Sequence, residues 1–200
     1  MSPRRSVAEA RATGVRILGR AAEIASAEGL DGITIGRLAD DLVMSKSGIH
    51  KHFGTKEALQ IATLDKAFAD FWERVVQPEL AHPPGLRRLR GLCANSVEYL
   101  TAPPLPGGCL MTAALSEYDS RPGPVRDAVV EVQSRWREQL RADLAAAVKN
   151  GELTAGFDID QALFEIIAAG LALNASIQLD HDRRAPSRAH RAITRALIQS

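Results

Sequence analysis

The sequence predicts an all-helical protein with a small N-terminal part and a larger C-terminal part. Hydrophobic residues make up 46% of the 200 residues and aromatic residues only 4%, so a core built mainly from aliphatic side chains is expected. Stretches in which apolar and polar residues alternate, as strands require, are nearly absent, whereas helical spacing of apolar residues recurs along the chain. We expect a three-helix unit over residues 1–56 and a helical bundle over residues 57–200.

The first helix is expected to follow a basic arm of residues 1–8. Apolar residues such as Ile17 and Ala21 recur at helical spacing over about residues 8–27. Gly29 then ends this helix, because glycine readily adopts the left-handed conformation that closes a helix. The chain is expected to turn back onto the first helix from this point.

Two short helices separated by a turn are predicted next. Thr34 can cap a helix that runs to about Leu42, and Ser45 can cap a third helix, since hydroxyl oxygens accept bonds from the free N–H groups of a helix start. Gly54 breaks the third helix, and Thr55 caps a fourth. A helix, a tight turn and a second helix form the helix-turn-helix motif, whose second helix can enter the major groove of DNA.

Breaks rich in proline and glycine divide the remainder of the chain into further helices. The fourth helix is expected to run to about Val76, because Gln77-Pro78 cannot continue it. The later helices are expected at about residues 86–100, 109–118, 125–149, 159–179 and 186–198. The predicted architecture is therefore a small helical unit joined by one long helix to a larger helical bundle.

Positive charge is concentrated in the N-terminal part. Residues 1–56 contain nine Lys and Arg residues against six Asp and Glu, whereas residues 57–200 contain sixteen against eighteen. Between Met44 and Lys56 there are three lysines, two histidines and no acidic residue. A basic surface at one end of a nearly neutral chain indicates contact with DNA phosphates.

The third helix has the residue types that a DNA-reading helix needs. Small residues at its start let the backbone approach the groove, and polar side chains one turn later reach the base edges. Helix N-termini bind anions, so Thr34 and Lys56, at two helix starts, are expected to hold phosphates. The predicted DNA contacts are Thr34, Ser45, Lys46, Ser47, Gly48, His50, Lys51, His52 and Lys56. A merely solvated basic face is the alternative, which the agreement of turn, caps and core spacing disfavours.

The helix-turn-helix segment also carries a characteristic set of residues in order. They are Gly29, Thr34, Leu38-Ala39, Ser45-Lys46, His52-Phe53 and Lys56-Glu57-Ala58-Leu59. Because of these residues, the segment from about Val15 to Leu59 closely resembles the DNA-binding part of the TetR family of transcriptional regulators. The resemblance implies a homodimer that reads a DNA operator with its third helix. It also implies that a small-molecule effector binds the C-terminal domain and releases the DNA, so that the protein acts as a repressor.

Three positions depart from the pattern of that family. Val43 replaces a glycine in the turn, and since a β-branched residue disfavours positive φ, a less tight turn is expected. Ser47 replaces another glycine, which appears one place later as Gly48. His50 replaces a tyrosine by an imidazole that can be protonated, so the base preference of the family does not transfer to this chain.

Aromatic and sulfur-containing side chains of the C-terminal part are candidates for lining an effector site. Ligand sites in helical bundles are mostly apolar with a few placed polar groups, so the effector is expected to be small and largely apolar. The candidates are Phe68, Phe71, Trp72, Asn95, Tyr99, Met111, Tyr118 and Trp136. The same side chains are equally compatible with an ordinary core, and both interpretations stay open here.

The helix expected at residues 159–179 is a candidate dimer interface. It interleaves small residues with large apolar ones, so a second helix can approach it closely. Two copies that meet across a two-fold axis would cover its several apolar faces. The predicted interface residues are Ile166, Ala169, Gly170, Leu173 and Ile177. Burial within a single chain is the alternative.

Other classes of protein find little support in the sequence. It contains no phosphate-binding glycine loop, HExxH or CxxC motif, so neither an enzyme, a metal site nor a cofactor is expected. The N-terminus lacks the apolar segment of a signal peptide and the most apolar run contains Glu165, so a cytoplasmic protein outside the membrane is expected. Two alternatives remain: a non-specific architectural DNA-binding protein, and a redox-responsive regulator that uses Cys93 and Cys109.

Overall fold

The computed structural model describes residues 7–199, which are almost entirely helical. Nine α-helices are described, and no strand occurs within that range. Those of the first half are α1 (Val7–Glu28), α2 (Ile35–Leu42), α3 (Lys46–Phe53), α4 (Lys56–Phe71) and α5 (Leu86–Thr101). Those of the second half are α6 (Leu110–Tyr118), α7 (Pro124–Lys149), α8 (Ile159–Gln178) and α9 (Ala185–Gln199). The predicted all-helical fold class is confirmed, while most of the predicted basic arm lies outside the described residues.

The chain forms two compact units. The N-terminal unit comprises Met1–Ala67 and Leu105–Val129, and the bundle unit comprises Phe68–Pro104 and Val130–Ser200. The sequence pattern instead suggests one boundary near Lys56 and assigns everything beyond it to a second domain. The two divisions differ because α6 contacts α1, although the two helices are far apart in the chain.

The helix-turn-helix is built as its capping residues predict. Thr34 Oγ1 accepts a hydrogen bond from the N–H of Arg37 at 3.1 Å, and Ser45 Oγ accepts one from the N–H of Gly48 at 3.1 Å. Each bond satisfies a donor that a helix start would otherwise leave free. The side chain of Ile49 is fully buried and anchors α3 to the core of the N-terminal unit.

The turn between α2 and α3 is tight despite Val43. This residue adopts φ 53° and ψ 49°, in the left-handed region, and its N–H donates to the carbonyl of Asp40 at 3.3 Å. The next N–H, of Met44, donates to the carbonyl of Ala39 at 2.8 Å. The expectation of a less tight turn is therefore wrong, because these closing bonds impose the left-handed conformation on a β-branched residue. The Val43 side chain is 93% exposed, so packing does not offset the strain.

Beyond α4 the helix changes its type rather than ending. A π-helix, Trp72–Val76, follows α4 directly, and a 3-10 helix, Gln77–Ala81, follows the π-helix. Pro78 accounts for this change, because it lacks an N–H group and its ring clashes with the carbonyl four residues earlier in a regular α-helix. The predicted α-helix to about Val76 therefore stops at Phe71, and the π-helix supplies the remaining turn.

The bundle unit is centred on α5, α8 and α9, which contact one another. It also contains a buried ion pair, in which Arg88 Nε donates to Asp143 Oδ1 at 2.7 Å. The N–H of Gly85 donates to the same oxygen at 3.1 Å, and the amide of Gln139 donates to the other carboxylate oxygen at 2.8 Å. Because Asp143 is fully buried, these donors are needed to compensate its charge.

Candidate DNA interface and effector region

The solvent-facing side of α3 is basic and carries the central predicted DNA contacts. Lys46, His50 and Lys51 are exposed, and no acidic residue occurs over residues 42–56. Ile49 points into the core, so the rest of the surface of this short helix, including Lys46, His50 and Lys51, is left to solvent. This arrangement presents positive charge along one short helix. The major groove of DNA is wide enough to admit a single α-helix.

Other predicted contacts also have structural roles. Thr34 and Ser45 are exposed although their hydroxyl oxygens cap α2 and α3. Ser47 Oγ lies 3.1 Å from Ser45 Oγ at the start of α3. His52 is half-buried, and its ring centroid lies 6.1 Å from that of Phe53. Thr34 and Ser45 therefore hold the starts of α2 and α3 in addition to lying at the surface.

Lys56, predicted to bind phosphate, is engaged within the N-terminal unit. Its Nζ donates to the backbone carbonyl of Asp31 at 2.8 Å and lies 3.9 Å from the Asp31 carboxylate. The side chain is about half exposed. An ammonium group has three donors, so this attachment fixes the direction of Lys56 while leaving donors for a phosphate.

Asp31 is the centre of a polar cluster that the sequence did not predict. Its carboxylate accepts hydrogen bonds from the Tyr118 hydroxyl at 3.1 Å, from Arg121 at 2.5 Å and from Gln60 at 3.3 Å. Partial burial raises the pKa of Asp31, but the bonds from these three donors together outweigh it and hold the pKa below its ordinary value. Burial, and then the bond to Asp31, raise the pKa of Tyr118 to about 12.

Glu117 holds the turn between α1 and α2 from the end of α6. Its carboxylate oxygens accept the backbone N–H groups of Leu30 at 2.7 Å and Asp31 at 2.9 Å. These N–H groups open the 3-10 helix Leu30–Gly32, where the backbone donors have no partner within the helix. Gly29 makes room for this contact, because a Cβ there would lie 2.7 Å from a carboxylate oxygen of Glu117.

A second close contact joins the loop before α6 to the end of α1. The N–H of Gly107 donates to Ser26 Oγ at 3.1 Å, and Ser26 is buried. A Cβ at Gly107 would lie 2.0 Å from the backbone carbonyl oxygen of Ser26, so no larger residue fits without movement. The partners in both contacts are separated by eighty or more residues, which is why no local spacing could reveal them.

Five of the predicted effector-site residues form an aromatic cluster in the bundle unit. Phe71 meets Tyr99 and Trp136 edge to face, with centroid distances of 5.2 and 5.1 Å. Phe68 lies 5.7 Å from Trp72 and under the guanidinium of Arg135. Phe68, Phe71, Tyr99 and Trp136 are buried, so this cluster forms a filled core in the present state.

The other three predicted effector-site residues lie elsewhere. Met111 and Tyr118 belong to the N-terminal unit, where the Tyr118 hydroxyl is bound by Asp31 and Gln60. Asn95 lines an open cleft of about 290 Å³ in the bundle unit, together with Tyr99 from the aromatic cluster. The cleft and the aromatic cluster therefore meet at Tyr99.

The predicted dimer residues of α8 are used largely within the chain itself. Ile166, Ala169 and Leu173 are 4%, 8% and 2% exposed, so their side chains have little surface left for a partner. Gly170 lies against Leu100 of α5, and Ile177 is half-buried. The opposite face of α8 is apolar and exposed, with Phe164 and Leu171 at 64% and 40% exposure. Leu179, which caps the end of the helix, is 79% exposed. Three of the five predicted residues therefore face the interior, and the exposed apolar surface of α8 lies on its other side.

Cys93 and Cys109 are both free and buried. Burial raises the pKa of Cys93 to about 12 and also raises the pKa of Cys109. Because the thiolate is the reactive form, both thiols are poor candidates for oxidation.

Among residues 7–199 there is no cluster of three or more His, Cys, Asp or Glu side chains that could hold a metal ion. None of the helices in that range is both long and apolar enough to span a membrane.

Two family models match the chain. Residues 17–63 match the model of bacterial regulatory proteins of the tetR family, and residues 85–193 match the model of the tetracyclin repressor-like C-terminal domain. The first match covers the helix-turn-helix and the second covers most of the bundle. No curated protein gives a significant sequence match.

Several solved structures have the same fold as this chain over nearly the whole length of both proteins. A TetR transcriptional regulator from Chloroflexus aurantiacus J-10-FL is 24% identical, with a TM-score of 0.85 over 94% of this chain and 96% of that chain. AibR, solved with isovaleryl coenzyme A and operator DNA, is 18% identical, with a TM-score of 0.72 over 92% and 97%. FadR from Bacillus subtilis, solved with stearoyl-CoA, is 15% identical, with a TM-score of 0.72 over 92% and 97%. Since the C-terminal model spans more than half of the chain and the N-terminal model covers its helix-turn-helix, this protein belongs to the TetR family of bacterial transcriptional regulators.

Proposed function

We propose that this protein is a homodimeric repressor that binds a palindromic operator and is released from it by a small, largely apolar effector. The observation that carries the proposal is the exposed basic surface of α3, formed by Lys46, His50 and Lys51, while Ile49 of the same helix is buried. A symmetric dimer presents this face twice, so two half-sites about one DNA turn or more apart are expected.

Dimerisation is supported by the outward face of α8. Phe164 and Leu171 are exposed there, as is Leu179 at the C-cap, and apolar surfaces of this kind are normally covered by a partner. A second copy is the occupant we favour, because a two-fold axis lets the same apolar face cover itself. The dimer interface is therefore assigned to this outward face of α8 and not to the buried residues that the sequence predicted.

Binding of an effector is supported by the aromatic cluster and by two of the related structures. Phe71, Tyr99 and Trp136 supply an apolar environment in the bundle unit, and AibR and FadR were solved with acyl-CoA molecules. For a ligand-responsive regulator the coupling free energy is typically about 1–3 kcal/mol, which corresponds to operator affinity about fivefold to 150-fold weaker with effector bound.

The DNA contacts are tested by fluorescence anisotropy after an operator has been identified by genome-wide footprinting with the purified protein. Changing Lys46 or His50 to Ala is expected to alter which sequences are preferred, because these side chains face the base edges. Lys56→Ala is expected to weaken all sequences alike and to reduce the salt dependence, since a phosphate contact carries no sequence information.

Lys149→Ala is the matched control, because Lys149 is an exposed lysine at the end of α7 and outside the proposed interface. Unchanged operator binding by all three α3 and α4 variants would overturn the assignment of the DNA surface. Equal affinity of the wild-type protein for operator and shuffled DNA would instead identify a non-specific architectural protein.

The effector proposal is tested by titrating isovaleryl-CoA and stearoyl-CoA, then a broad set of apolar compounds, into the protein–operator complex. The expected result is release of DNA by at least one compound together with a rise in the melting temperature of the free protein. Operator affinity that responds to no compound, but falls on oxidation and is restored in Cys93→Ser or Cys109→Ser, would favour the redox-responsive alternative.

A further inference from the structure

The open cleft of the bundle unit has two charged walls. It has a volume of about 290 Å³ and is lined by Arg74 from the π-helix, by Asn95, Glu98 and Tyr99 from α5, and by Ala102. Arg74 and Glu98 are exposed. Neither of their side chains forms an ion pair or a hydrogen bond with any residue in the range 7–199, and in particular they do not pair with each other. Two opposite charges therefore line one cleft without pairing with each other.

The positions of the two walls are fixed by contacts beside the cleft. Asn95 Nδ2 donates to the backbone carbonyl of Val75 at 3.1 Å and to a carboxylate oxygen of Glu79 at 3.2 Å. Glu79 in turn lies against α5 at Gly91, where a Cβ would be only 2.0 Å from its carboxylate oxygen. These contacts fasten the π-helix and the 3-10 helix to α5. A cleft whose walls are held in this way loses little conformational entropy when a ligand binds.

The remaining lining groups complement the two charges. Asn95 uses its amide nitrogen for both of these bonds, so its Oδ1 can accept a bond from a ligand. Tyr99 is 8% exposed and is held edge to face against Phe71, so it offers a rigid aromatic surface. An ammonium group is attracted both to a carboxylate and to an aromatic ring, whereas a carboxylate or phosphate is bound best by a guanidinium.

We propose that this cleft binds a zwitterionic group, with its anionic end on Arg74 and its ammonium end between Glu98 and the Tyr99 ring. This proposal rests on the proposed function, because the zwitterionic group is the polar part of the effector that releases the repressor. A ligand with a single charge would gain only one of these two interactions, and so it would bind more weakly.

The probes are a series of ω-amino acids, namely glycine, 4-aminobutyrate and 6-aminohexanoate, titrated into the full-length protein without DNA. Binding is measured by isothermal calorimetry and by the melting temperature. At least one member is expected to bind, and hexanoate and hexylamine, which carry one charge each, are expected to bind about tenfold or more weakly than the best ω-amino acid. No binding of any ω-amino acid up to about 10 mM, or equal binding of hexanoate, would overturn the proposal.

Exchanging the charges of Arg74 and Glu98 shows whether these side chains contact the ligand or only support the structure of the cleft. Arg74→Glu and Glu98→Arg are each expected to weaken the best probe about tenfold or more, while the double exchange restores binding with the ligand reversed. Arg90→Gln, an exposed arginine of α5 outside the cleft, is the control and is expected to bind like the wild type. Absence of restoration in a double variant that melts like the wild type would count against the proposal.

Operator binding is measured separately on the same preparations. A protein that binds its operator but none of the probes contradicts only the cleft proposal. A protein that binds a probe but no DNA sequence contradicts only the proposed repressor function. The two failures are therefore distinguishable.

Discussion

The carboxylate of Glu117 binds the backbone N–H of Leu30 at 2.7 Å, although 87 residues separate the two. The second oxygen binds the N–H of Asp31 at 2.9 Å, so one side chain at the end of α6 satisfies both donors at the start of the turn that leads into α2. An anionic group is favoured there because unpaired N–H groups carry partial positive charge. The position of the helix-turn-helix within the N-terminal unit therefore depends on a residue outside the motif.

Removal of this cap should destabilise the N-terminal unit. Glu117→Ala leaves two backbone donors unpaired, and we expect the free energy of unfolding in urea to fall by about 1–3 kcal/mol. Glu117→Gln retains one carbonyl acceptor, so its effect should be smaller. Glu131→Ala, an exposed glutamate of α7 with no capping role, is the control. A Glu117→Ala protein as stable as this control would contradict the role assigned to the cap.

The strained turn offers a stabilising substitution. Val43 has a positive φ of 53° that costs an L-residue about 1–2 kcal/mol, whereas glycine adopts it freely. Part of the gain from Val43→Gly is cancelled by the greater entropy of the unfolded chain, so a net stabilisation of about 0.5–1 kcal/mol is expected in thermal unfolding. Val43→Ala is the control, since it removes the branched side chain but keeps a Cβ. A glycine variant less stable than the alanine variant would show that the turn is not strained.

The hydroxyl of Tyr118 should titrate unusually late. Burial and the bond to Asp31 raise its pKa to about 12 from an ordinary 10.0. The folded state thus holds the proton more tightly than the unfolded state, so the stabilisation is fully present below pH 10 and is lost as the pH rises through about 12. The chain has two tyrosines, and the absorbance of the wild type minus that of Tyr118→Phe reports the phenolate of Tyr118 alone. A midpoint near the ordinary value would contradict the hydrogen bond from Tyr118 to Asp31.

The outward face of α8 gives a test of the dimer. Phe164→Glu and Leu171→Glu place charges on an apolar surface that a partner is expected to cover, so the double variant should sediment as a monomer and bind operator much more weakly. Val130→Glu changes an exposed valine of α7 in the same way and serves as the control. If the double variant remained a dimer at micromolar concentration, another surface would have to form the interface.

Local sequence patterns predicted the elements whose causes are local. Thr34 and Ser45 cap the helices that they were expected to cap, because the bonding donors lie only three residues further along the chain. Ile17 and Ala21, which recur at helical spacing in the first helix, are fully buried. The π-helix after Phe71 was missed, although Pro78 was the signal that could have indicated it.

The sequence by itself therefore determined the helical fold, the helix-turn-helix and the basic face of α3, since spacing, caps and charge act over a few residues. Only the tertiary structure decided that Glu117 caps the turn at Leu30, that Asp31 gathers Tyr118 and Arg121, and which face of α8 is left exposed. The physical reason is that these contacts join segments far apart in the chain. The donors and charges of a side chain do not specify which distant residue it will contact. That partner is determined only when the helices pack against each other.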